Sequence, residues 1–177
     1  MAISLYDISI SSYLQILGGI TGVLQKGAEF SEANDLDLAQ LVETSLCPDM
    51  LPFRFQVISV AHHSLGAIKG LREGVFAPPP PMPDLDYKAL QGVVADTIAQ
   101  LKSVTREEID GFEGNDMKFK MGDFEIPFIA ENFILSFSLP NLYFHATTVY
   151  DILRIADVPV GKMDFLGEMR VGNNPNT

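Results

Sequence analysis

The chain has one cysteine, Cys47, so an internal disulfide and a zinc site built from cysteines are both excluded, and nothing in its sulfur chemistry points to an oxidising compartment. It is also short of bases: 12 Lys and Arg stand against 23 Asp and Glu, for a net charge of −11. Such a field repels phosphate backbones and anionic lipid, so no nucleic-acid partner is expected. Lys and Arg are missing altogether from Gly27 to Phe53 and from Met121 to Leu153. Glu29, Glu32, Asp35, Asp37, Glu43 and Asp49 gather in the first of these stretches, which reads as a solvated acidic surface. No apolar run approaches the roughly 20 residues that cross a bilayer, and the segment from Met1 to Asp7 has no basic cluster. Neither a membrane anchor nor a signal peptide is expected, and the predicted location is cytoplasmic.

What the chain does have is length and apolar periodicity. With 177 residues, 47% of them hydrophobic, it can bury one substantial core, and a single domain over 1–177 is expected. Tyr6, Ile10, Tyr13, Leu17, Ile20 and Leu24 recur at steps of four and three, the stripe of a helix that buries one face, and predict a first long helix over about 4–26. Gly18, Gly19 and Gly22 inside it each cost roughly 1 kcal/mol against Ala, so they suit the close approach of another helix. A short helix over about 36–46 follows. Asp49 is then expected to cap a second long helix, reaching about residue 71, with the stripe Phe53, Val57, Val60, Ser64, Ala67 and Leu71.

Pro78 to Pro81 and Pro83 lack amide donors and predict a stiff extended arm. Asp84 or Asp86 caps a third helix carrying Tyr87, Leu90, Val94, Thr97, Leu101 and Val104, and Thr105 with Glu108 has capping-box spacing. Alternation around Gly122-Asp123 predicts a short β-hairpin over 117–128. Pro140 is expected to kink or interrupt the next helix, and the last helix is predicted over 141–156. The fold class is mainly all-α.

Asn141 and His145 are four residues apart, so on that helix they stack on one face, the arrangement by which a helix offers two metal ligands. Gln56 and His63 share a face of the second helix. His62 and His63, being adjacent, point about 100° apart, so His62 is expected at the surface. Cys47, ahead of Pro48-Asp49, could be held as a thiolate near a helix start and, with His145 or His63, would make a nucleophile, although a lone cysteine is usually inert.

The runs Pro48-Asp49-Met50-Leu51-Pro52 with Gln56-Val57, Leu139-Pro140-Asn141-Leu142-Tyr143-Phe144-His145-Ala146-Thr147-Thr148-Val149-Tyr150 with Ile152-Leu153-Arg154, and Gly161-Lys162-Met163-Asp164-Phe165-Leu166-Gly167 resemble the domain of unknown function nineteen-ninety-three family, a branch of the DinB/YfiT-like superfamily. The resemblance implies a DinB/YfiT-like four-helix bundle, often a homodimer, and in better-studied branches a metal ion held by three histidines. By position it places His145 on the second histidine of the last helix, Asn141 on the first, and Gln56 on the second-helix histidine. A zinc or nickel ion on His145, Asn141 and Gln56 is thus what the resemblance implies, but carboxamides are neutral and weak toward those ions, so no metal is the favoured expectation.

The polar trio is read three ways: a self-satisfied network, a small-ligand pocket, or a metal site. The expected function is binding of a small polar ligand in the bundle, lined by Gln56, Asn141, His145 and His63 with Met50, Phe53, Tyr143 and Tyr150 nearby. The alternatives are an altered DinB-like metal-dependent hydrolase or thiol transferase, and a non-enzymatic dimeric module.

Overall fold

The computed structural model describes residues 3–81 and 83–172. Four long helices carry the predicted stripes: α1 (Ile10–Asn34), α2 (53–73), α3 (Tyr87–Lys102) and α4 (130–155). Ile10, Tyr13, Leu17, Ile20 and Leu24 are fully buried, as are Phe53, Val57, Val60, Ser64 and Ala67, and the α3 stripe is buried from Tyr87 to Val104. Apolar area removed from water along these faces drives the assembly. Helix α1 packs on α3 and α4, and α2 packs on the same two, so the cyclic order is α1, α3, α2, α4. A short helix at Leu5–Ile8, capped by Ser4, precedes the bundle.

Helix boundaries depart from expectation where local capping decides. Helix α1 runs through the polar stretch to Asn34 and ends only at Asp35, in the left-handed conformation at φ 55. The short acidic helix shrinks to Leu38–Leu41 under the cap of Asp37. Asp49 caps nothing; Pro52 precedes the first turn of α2, where its missing amide costs no helical hydrogen bond. Asp86 and Thr105 cap as expected, accepting from the amides of Ala89 and Glu108.

Two helices are widened in mid-course. Helix α2 contains a π turn at His62–Gly66 and α4 one at Ile134–Ser138. Pro140 was expected to kink or interrupt this helix; α4 is widened just before it and runs on without interruption. The two are stitched together: Ser138 Oγ donates to the His63 carbonyl at 2.6 Å and lies 2.6 Å from the Tyr13 hydroxyl. Having spent its one proton on a carbonyl, Ser138 must accept from Tyr13.

The hairpin is present as β2 (Asp116–Met121) and β3 (Phe124–Ile129), turning at Gly122 with φ 60. Pro127 sits in β3, an edge strand, where a missing donor is tolerated. A two-residue strand, β1 (Val75–Phe76), adds in parallel to β2. Phe119 and Phe128 fasten this sheet to Phe137 of α4 at ring distances of 5.0 and 5.9 Å.

Loops are tied to the bundle by charge. Arg54 pairs with Glu43 at 2.7 Å and Asp84 at 2.9 Å, holding the acidic loop and the proline arm to the start of α2. A short helix at Lys162–Leu166 lies across α1, with Asp164 on Lys26 at 2.7 Å and Gln15 Nε2 donating to Leu166 O at 3.0 Å. Gly19 makes that crossing feasible, because a Cβ there would land on the Phe165 carbonyl oxygen. Gly18 and Gly22 face open space, so the close approach is made at Gly19 alone of the three.

Candidate functional site

Gln56 projects from the first turns of α2 and is 2% exposed. Its Nε2 donates to the carbonyl of Leu51 at 2.7 Å, in the loop just before the helix. A carbonyl can only accept, so the amide is held with its oxygen turned the other way, toward His145. There Gln56 Oε1 lies 2.7 Å from His145 Nδ1. An amide oxygen also can only accept, so His145 carries its proton on Nδ1 and presents Nε2 as a bare lone pair. One backbone carbonyl thus sets the tautomer of a histidine 94 positions further along the chain.

Three rings surround that imidazole. Phe55 and Phe144 meet it edge-on, at 5.8 and 5.2 Å between centroids, and His63 stacks nearly parallel at 5.5 Å. His63 is 8% exposed, and its Nδ1 is buried with no partner among the described residues. Burial, then the neighbouring imidazoles of His145 and His62, push the His63 pKa down to about 3. Burial chiefly, with His62 adding to it, brings His145 down to about 4. Both are neutral at physiological pH.

His62 completes the cluster. It lies 5.5 Å from His63 and 4.5 Å from the Phe76 ring, half-buried, with Nε2 at 2.8 Å from the Ala77 carbonyl. The expectation of a surface residue fails because the π turn begins at His62 and the strand β1 folds back over it. All three histidines of the chain are therefore in one aromatic cluster with Phe76 and Phe137. The adjacent pair in a helix that also carries Gly66 was the available signal.

The other predicted site residues are dispersed. Asn141 does not face Gln56; its Nδ2 donates to the Phe137 carbonyl, four residues back on its own helix, at 2.8 Å. Phe53 is fully buried and stacks on Tyr87, which makes it core. Tyr150 packs on Phe165 of the C-terminal segment, and its hydroxyl reaches Val160 O at 3.4 Å. Tyr143 is exposed, Met50 half-buried in the loop before α2, and Cys47 exposed in the same loop.

Three ligands for a metal ion are not assembled by this arrangement. Gln56 Oε1, the one oxygen of that side chain, is engaged by His145, so the two intended ligands bind each other, while Asn141 has turned to the backbone. Among the described residues no three His, Cys, Asp or Glu side chains form a group that could hold a metal. The residues do not fit a three-histidine type of centre. Among the described residues, no helix is long and apolar enough to cross a membrane.

A family model described as Domain of unknown function (DUF1993) matches residues 5–166. A crystal structure of a DinB family member protein from Shewanella denitrificans superimposes with a TM-score of 0.80, covering 96% of each chain at 23% identity, a likeness that shows a shared fold. No curated protein matches the chain.

Proposed function

The chain belongs to the family of Domain of unknown function (DUF1993), and from that membership together with the geometry of His145 we propose that it binds a small polar ligand at this imidazole. The observation that supports this is the relay from Leu51 O through Gln56 to Nδ1, which orients a ring flanked by Phe55 and Phe144 and leaves its Nε2 as a neutral acceptor. A buried amide spent on orienting one ring is the pattern by which sites fix a working histidine. An imidazole held at about 4 is a weak proton acceptor at pH 7, which favours hydrogen bonding a ligand O–H or N–H over abstracting a proton.

The test is a melting-temperature screen of the wild-type chain with phenols, alcohols and primary amides, repeated on His145→Ala. Compounds that stabilise the wild type by binding its folded form should have no effect on a His145→Ala protein that still folds. Gln56→Leu should weaken the same compounds while leaving Nε2 in place. The proposal fails if the shifts persist in His145→Ala. It fails equally if that variant is unfolded and the wild type responds to none of the probes, since the network would then be serving the bundle only.

A further inference from the structure

Away from His145, a cleft of about 490 Å³ opens between the C-terminal half of α2, the start of the proline arm and α3. That volume is within the range of small-molecule sites. Its lining is apolar at Leu65, Phe76 and Val93, and polar at His62, Lys69 and Glu73.

The His62 ring is oriented by the same logic as His145. Its Nε2 meets the Ala77 carbonyl, which can only accept, so the proton is on Nε2 and Nδ1 is bare. Gly66 keeps this nitrogen open, since a Cβ there would come within 3.0 Å of it. Glycine weakens a helix interior, and here it stands where any side chain would cover an acceptor. Lys69 and Glu73, one turn apart and both exposed, enter no ion pair among the described residues, with each other or with another side chain. The cleft therefore offers one free cation, one free anion and one bare acceptor beside an apolar wall.

We infer that this cleft binds an amphipathic zwitterion of the amino-acid type, with its apolar tail against Leu65, Phe76 and Val93 beside His62, its carboxylate on Lys69 and its ammonium on Glu73. A ligand with only one charge sign would meet either Glu73 or Lys69 as a like charge, so both signs are needed for a match. The site is separate from His145 and does not depend on what binds there.

The experiment is an amide-resolved NMR titration of the full chain with L-phenylalanine, and with phenylacetate and phenethylamine as analogues lacking one charge each. Phenylalanine should give saturable shifts at the amides of Gly66, Lys69, Gly70 and Thr97, and bind at least tenfold more tightly than either analogue. Lys69→Gln and Glu73→Gln, both surface changes, should each weaken it about tenfold, a ratio that corresponds to one lost ionic contact. Gly66→Ala, which places a methyl against His62 and into the cleft, should abolish the shifts. The inference is overturned if phenylalanine gives no saturable shift in the cleft, if either analogue binds as well, or if the Lys69, Glu73 and Gly66 variants bind like the wild type.

Discussion

At the scale of single residues, the histidines determine how the protein responds to acid. An unfolded histidine titrates near 6.5, whereas His63 and His145 are held at about 3 and about 4, and His62 is also lowered by burial. Below 6.5 the unfolded chain takes up protons that the folded chain refuses. Stability therefore rises with pH between about 3 and 6.5, is fully present above that window, and is lost as pH falls through it. The surface carboxylates act lower: Asp7, held at about 2 by Arg106, contributes stability that is lost only as pH falls below the ordinary carboxylate range. Melting temperature should decline from pH 6.5 to 4, and His63→Phe, which removes the most depressed of the three, should flatten that slope. An unchanged slope would assign it to other groups. The pairing of Gln56 with His145 was legible only through the family resemblance, which places both at ligand positions; helical spacing cannot pair residues on two different helices. The departure of Asn141 was not, because the competing acceptor is a backbone carbonyl, invisible to any reading of side-chain periodicity.

At the scale of elements, the four helices could be read from their apolar stripes with few errors, since burial of one face leaves a repeating mark. The π turns left no such mark. Their stabilising contacts are a hydroxyl on a carbonyl and a buried phenol, side chains that a stripe records simply as Ser138 and Tyr13. Strand β1 escaped for a different reason, since two residues are too few for alternation to register. The Tyr13 hydroxyl is fully buried, its ionisation pushed up strongly by that burial, and its donor function is to hold Ser138 against α2. Tyr13→Phe should cost about 1–3 kcal/mol, because Ser138 would lose its donor inside the core. Chemical denaturation measures this, and hydrogen exchange should show the loosening concentrated at 62–66 and 134–138. A change spread evenly over the bundle would argue against a local role.

At the scale of the whole molecule, a negatively charged bundle is closed by its own C-terminal segment, which crosses α1 at Gly19 and is fastened by Lys26 and Gln15. Gly19→Ala should destabilise by about 1–3 kcal/mol, as overpacking does, and expose the segment beyond residue 160 to protease. Replacing Gly18, which faces open space, should do neither and serves as the control. The widened turns of α2 and α4 bear on the molecule in another way. A turn closed five residues apart holds one residue more than a regular turn, and everything beyond it is rotated by about 100° relative to an unwidened helix. Removing a single residue from 62–66 would close that turn to a regular one and leave Leu71 and its neighbours on the core, whereas removing one from the regular turns on either side would swing them off it. The widened turn of α2 is therefore where chain length has slack, and a one-residue deletion within 62–66 should lower the denaturation midpoint less than one made in the regular turns that flank it.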